Sequence, residues 1–215
     1  MASTKPSTGA DRSRESRSSE KRAAIIDAAT AAFLQRGYLA TSVDEIAKRA
    51  GVSKQTVYEH FGGKERLFTE IVVGTIDQVG QPFFTELDSI EEVGDLAAGL
   101  GTLARELIGI VMEPRLLELR RVVIGELARF PELGRIYYER GPARTVDALG
   151  SMIERLAERG FLRVEDRRLA AEHFNWLVLS VPINRAMFSP DVNFSPEELG
   201  HYADEAVRVF LAAYG

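Results

Sequence analysis

The chain has 215 residues, 45% of them hydrophobic and 27% charged, with a net charge of −5, the composition of a globular protein able to bury a core of its own. It has no cysteine, which excludes disulfides, thiolate metal sites and cysteine nucleophiles. No apolar run approaches the ~18 residues a membrane span needs, and the N-terminus lacks the apolar stretch of a secretory signal, so a cytoplasmic protein without membrane contact is expected.

Residues 1–17 are rich in Ser, Thr, Arg, Gly and Asp and hold no large apolar residue beyond Met1. Such a segment cannot offset its ordering entropy, so a disordered basic arm is expected over 1–18. From Ser19 the pattern turns helical, with Ile25, Ile26, Ala29, Ala32 and Phe33 at helical spacing until Gly37 stops the helix. Ser42-Val-Asp-Glu45 reads as a capping box opening a short helix to Ala50. Gly51 ends it, and Ser53 can cap a second short helix from Lys54 to His60. Gly62-Gly63 breaks the chain before a long helix over 64–87.

Further helices are expected at 93–112, 114–129, 132–159, 165–187 and 196–213, separated by Pro114, Pro131, Gly160 and the segment 189–196. No strictly alternating stretch carries turn signals on both sides. The predicted fold is all-α, about nine helices in total. A three-helix helix-turn-helix domain at 19–63 precedes a larger helical bundle at 64–215.

Two short helices joined by a tight glycine-containing turn form the geometry that presents one helix to the DNA major groove. Gly51 can adopt positive φ without steric cost, and Ile46, Ala47, Val52 and Val57 are spaced to hold the pair together. Lys54, Gln55, Thr56, Tyr58 and His60 then stand exposed, groups suited to base edges and phosphates. Charge agrees. Residues 1–64 hold 11 Lys/Arg against 7 Asp/Glu, whereas residues 65–215 hold 16 against 25. A basic head on an acidic body suggests that one end meets nucleic acid.

The run Thr41-Ser-Val-Asp-Glu-Ile-Ala-Lys-Arg-Ala-Gly-Val-Ser-Lys-Gln-Thr-Val-Tyr-Glu-His-Phe-Gly-Gly-Lys-Glu-Arg-Leu-Phe68, with the helix before it ending at Gly37-Tyr38, resembles the signature of the TetR family. The likeness covers residues 20–70, with Glu59 a local departure from the pattern. It implies a dimeric, ligand-responsive transcriptional repressor on a palindromic double-stranded operator. Gln55 and Thr56 would lie near base edges, Tyr58 on the backbone or a thymine methyl, and His60 on a phosphate. Lys64, Thr41 and Ser42 would meet phosphate at helix starts. Lys54 is a further candidate, while Ser53 is a cap first. Arg12, Arg14, Arg17, Lys21 and Arg22 could add contacts from the arm. Replacing Tyr58 or Lys64 by Ala is expected to weaken DNA binding with the fold intact.

The stretch Arg120-Arg-Val-Val-Ile-Gly-Glu-Leu-Ala-Arg-Phe-Pro-Glu-Leu133 resembles the C-terminal domain of AefR-like repressors. Family likeness implies a small-molecule effector pocket among these helices, for which Phe84, Leu107, Met112, Arg120, Tyr137, Met152, His173 and Trp176 are candidates. Arg121, Glu126 and Asn175 are further polar candidates. Apolar stripes on the last two helices suggest a homodimer face of Leu177, Val178, Val181, Tyr202, Ala206, Val209 and Phe210, although a stripe can equally pack on its own domain. No cofactor or metal is expected. His60, His173 and His201 are widely spaced, and Gly99-Leu-Gly-Thr-Leu-Ala104 matches a dinucleotide fingerprint only in letters, inside a helical pattern. An enzyme is therefore disfavoured. A transcriptional activator, or a regulator without ligand input, stays open.

Overall fold

A computed structural model describes residues 9–89, 95–189 and 191–215. Nine helical runs and no strand are found among these residues. They are α1 (Gly9–Ala40), α2 (Val43–Ala50), α3 (Lys54–Phe61), α4 (Lys64–Ser89), α5 (Leu96–Val111), α6 (Pro114–Glu126), α7 (Pro131–Tyr138), a π-helical turn (Glu139–Ala143), α8 (Arg144–Glu158), α9 (Arg167–Phe188) and α10 (Pro196–Tyr214). The stretch α7, π turn and α8 is one continuous run, as expected for 132–159.

The arm differs from expectation. Residues 9–18 are helical and belong to α1, and only residues 1–8 of the expected disordered arm lie outside the described ones. Once a helix is nucleated, adding a residue is cheap, and Ser and Arg are tolerated there. The Ser16 hydroxyl donates to the Glu20 carboxylate one turn on. Gly37 marks a kink, with φ 77° and ψ 170° inside the run, and one further turn follows it.

The chain divides into two compact units between Val72 and Val73, within α4 and later than the expected boundary at Gly63. The cause is the apolar face of early α4. Leu67, Phe68, Ile71 and Val72 are buried within the first unit, as are Ile25, Ala29, Phe33, Tyr38, Ile46, Val57 and Phe61. Phe68 packs between Phe33 and Tyr38 at ring-centroid distances of 4.9 and 5.0 Å. Without those α4 residues the three-helix head would expose much of its core.

The second unit is a helical bundle in which α5, α8, α9 and α10 share one core. Leu103, Leu107, Leu149, Met152, Ile153, Phe174, Val178 and Phe210 fill it. Proline opens α6, α7 and α10, where its missing N–H costs nothing. Gly160 takes φ 78° at the end of α8. Residues 99–104, which spell the dinucleotide fingerprint, lie within α5. None of the described helices is long and apolar enough to cross a membrane.

Candidate DNA-binding surface and ligand cleft

The α2–α3 turn is built as the residues dictate. Gly51 sits at φ 66°, ψ 29°, the left-handed region, and its N–H donates to the carbonyls of Ala47 and Lys48. The Val52 N–H donates to the Ala47 carbonyl at 3.0 Å. Ser53 then caps α3, accepting from the Thr56 N–H at 3.1 Å. The Ser53 and Thr56 hydroxyls also bond each other at 2.8 Å. Ser42 caps α2 by accepting from the Glu45 N–H at 3.2 Å. The expected capping box is only half formed, because the Glu45 carboxylate does not reach back. It pairs instead with Arg36 and Arg49, each at 3.2 Å, tying α1 to α2. A complete capping box is formed by Ser195 with Glu198, at the start of α10.

On α3, Val57 and Phe61 face inward, and Lys54, Gln55, Tyr58 and Glu59 face out. Tyr58 is 46% exposed, a large aromatic side chain held out in water. The Gln55 amide donates to the Glu59 carboxylate at 2.9 Å. Lys54 pairs with Asp44 of α2 at 3.0 Å, and that hydrogen bond holds its ammonium above the ordinary lysine pKa. Thr56 and His60 are half-buried, and Ser42 and Ser53 are exposed.

Two of the expected contacts have internal duties. Thr41 is 1% exposed, and its hydroxyl donates to the Ala32 and Gly37 carbonyls, so it is not placed to reach phosphate. The buried carbonyls at the kinked end of α1 need a donor, and Thr41 supplies it. The Lys64 ammonium donates to the Tyr38 and Thr41 carbonyls, each at 2.8 Å. Lys64 thus clamps the start of α4 onto the α1–α2 junction, which argues against a substitution there that spares the fold.

In the second unit a cleft of about 840 Å³, partly open to solvent, is lined by α4 to α9. Its walls are mainly apolar and include Ile76, Phe83, Ile110, Leu116, Leu179 and Ile183. Five of the expected pocket residues line it: Phe84, Leu107, Arg120, Tyr137 and Trp176. Three do not. Met152 is fully buried in the shared core. Met112 packs with Leu117 and Ile183 in a separate small cluster. His173 is exposed, with its Nδ1 2.6 Å from the Tyr214 hydroxyl. Arg121 also turns away, donating to the Ala186 carbonyl at 2.9 Å, and Glu126 is not a lining residue.

Asn175 belongs to the cleft wall, as do Arg140 and Pro142 of the π turn. The sequence reading missed the π turn, whose one signal was Gly-Pro at 141–142 inside a helical pattern. Arg140 pairs with Asp77 of α4 at 3.2 Å, and Arg144 lies 4.1 Å over the Phe84 ring. Burial pushes the Tyr137 phenol above the ordinary tyrosine pKa, with the charge of Arg120 opposing it.

The expected dimer face splits in two. Val178, Ala206 and Phe210 are buried in the protomer's own core and are unavailable to a partner. Tyr202 is half-buried against that core and meets Phe194 edge-on. Leu177, Val181 and Val209 are exposed, and so are Leu169 and Phe188 on the same α9 helix.

A helix-turn-helix with an outward polar and aromatic face, in a chain that also carries a bundle with an apolar cleft, defines a DNA-binding regulator. Residues 25–71 match the bacterial regulatory proteins of the tetR family, and residues 98–215 match the AefR-like transcriptional repressor C-terminal domain. The chain belongs to the TetR family of transcriptional regulators.

A protein of Mesorhizobium loti assigned to that family is 44% identical, with 93% of this chain and 98% of the other covered and a TM-score of 0.86. The flavonoid-responsive regulator FrrA is 30% identical over 90% of this chain and 96% of its own, with a TM-score of 0.68. Among curated relatives, the regulator AcrR of Shigella flexneri is 34% identical over 108 residues, 50% of this chain and 47% of its own. The activator FasR of Mycolicibacterium smegmatis is 42% identical over 60 residues, 28% of this chain and 27% of its own. The chain thus matches less than half the length of these two curated relatives.

Proposed function

We propose that the chain is a homodimeric repressor that binds a palindromic operator and releases it when a small, mainly apolar molecule occupies the cleft. The observation that carries this reading is the outward face of α3. Gln55 and Tyr58 stand in water on a helix fixed by two capped termini and a glycine turn. An amide and an aromatic one turn apart on an exposed helix face are groups that meet base edges and phosphates. Ser42, Ser53, Lys54, Thr56 and His60 flank that face as phosphate or base contacts.

Repression is supported by the AefR-like repressor match over 98–215. The similarity to the activator FasR covers 60 residues, 28% of this chain. A twofold dimer suits a helix-turn-helix, because each copy reads one half-site. The exposed apolar side chains Leu177, Val181 and Val209 on α9 and α10 supply a surface for it. Effector action is a population shift: occupation of the cleft favours a dimer whose recognition helices no longer match the groove spacing. The covalent link is α4, whose first residues, up to Val72, belong to the first unit and which lines the cleft beyond Val73.

The test is fluorescence anisotropy with the DNA upstream of the chain's own gene and its neighbours. Saturable binding that survives excess nonspecific DNA, two chains per site, is the expected result. Absence of any preferred sequence overturns the regulator reading for those genes. A complex that no apolar compound weakens overturns the release mechanism and leaves DNA binding standing.

A further inference from the structure

Arg120 lines a cleft whose walls are mostly hydrocarbon, and no acidic side chain shares that lining. Among the described residues no carboxylate pairs with its guanidinium. The other cation of the lining, Arg140, already has Asp77 at 3.2 Å, which Arg144 also approaches at 3.8 Å. Arg120 is therefore the cation of this lining that lacks a paired carboxylate among the described residues. A half-buried charge without a counter-ion raises the free energy of the empty state, and an anionic guest recovers that cost.

Two neutral groups add to the same surface. Asn175 is 6% exposed and lines the cleft, yet no described residue hydrogen-bonds its amide. Tyr137, also in the lining, has no hydrogen-bonding partner among the described residues either, and its phenol O–H is free to donate. A guanidinium fork, a phenol O–H and an amide N–H are the donors a carboxylate accepts. The remaining walls, with Phe83, Phe84 and Leu107, suit an apolar body.

We propose that the effector is an amphipathic monoanion, a carboxylate head on an apolar body, with Arg120 taking the head and Tyr137 and Asn175 donating to it. This rests on the reading of the cleft as the effector site. It sorts ligands by charge: a neutral or cationic molecule with the same body leaves Arg120 uncompensated and binds more weakly.

Trp176 is the one tryptophan of the chain and lines the cleft, so its emission reports occupancy. Decanoate, 1-decanol and decylammonium serve as probes that share a body and differ in head. Decanoate is expected to shift Trp176 emission with an affinity about ten- to a hundredfold above that of decanol, and decylammonium is expected to bind worst. Arg120→Met is expected to abolish the preference for decanoate, chiefly by weakening decanoate itself. Equal affinity of decanoate and decanol for the wild-type chain overturns the anion proposal and leaves the effector cleft intact. So does a preference for decanoate that survives Arg120→Met. No response to any of the three probes overturns both. The wild-type comparison stands even where Arg120→Met fails to fold, and Arg120→Gln provides a second variant with the same expected outcome.

Discussion

Lys64 places its ammonium 2.8 Å from the Tyr38 carbonyl oxygen and 4.1 Å from the centre of the Tyr38 ring. One cation thus serves the end of α1 twice, as a hydrogen-bond donor and as a cation–π partner. Tyr38 in turn packs on Phe33 and Phe68, the aromatic centre of the first unit. Lys64→Met removes the clamp and takes one donor from each of the two carbonyls, that of Tyr38 keeping the Thr41 N–H. The expected loss is about 1–3 kcal/mol of stability, with DNA affinity falling alongside it. Urea melts of the variant check this. An unchanged midpoint with weakened DNA binding would return Lys64 to the role of a pure phosphate contact.

Glu59 faces out of the recognition helix and accepts from Gln55 at 2.9 Å. A carboxylate there repels phosphate and occupies the side chain best placed for base edges. Glu59→Gln is expected to tighten binding to mixed-sequence DNA several-fold at low salt, the gain shrinking as salt rises. Anisotropy titrations at two salt concentrations measure it. Weaker binding to mixed DNA would show that Glu59 is itself a favourable contact.

Tyr58 is the control for both. Its ring is exposed, so Tyr58→Ala is expected to weaken DNA binding about tenfold while the melting temperature moves little. A large drop in melting temperature would show that the ring packs more tightly than its exposure indicates.

The helices were legible in the sequence because their punctuation is chemical. Ser53, Gly51, Gly62 and the prolines at 114, 131 and 196 each mark an end that the structure places within a residue or two. The direction each buried stripe faces was not legible. Val178 and Val181 are both apolar and lie on one helix, yet the first is 0% exposed and the second 46%. Periodicity reports that a stripe exists, and tertiary packing decides which part of it the protomer keeps. Met152 and Phe84 differ for the same reason: one closes a core and the other borders a gap. Thr41 and Lys64 take backbone carbonyls as partners, and such partners are announced by no residue identity.

That split gives a paired test of the dimer face. Val181→Asp puts a charge on the exposed side of α9 and is expected to yield a folded monomer with lost operator binding. Val178→Asp buries an unpaired carboxylate in the core of the second unit and is expected to unfold it, at a cost of several kcal/mol. Light scattering and circular dichroism on both variants separate the outcomes. A Val181→Asp chain that stays dimeric would move the interface off this face of α9.

Tyr137 makes the cleft sensitive to alkaline pH. Burial raises its pKa in the folded chain above the ordinary value of about 10. The folded state therefore holds the phenolic proton more tightly than the unfolded state. The sign follows from linkage: the associated stability is fully present below the unfolded value and is lost as pH rises through the folded one. Wild type and Tyr137→Phe share every other tyrosine, so the difference between their urea midpoints isolates this group. Between about pH 8 and about pH 11, the wild-type midpoint is expected to fall more steeply than that of Tyr137→Phe. Parallel curves would mean that the Tyr137 phenol is solvated in the folded chain much as in the unfolded one.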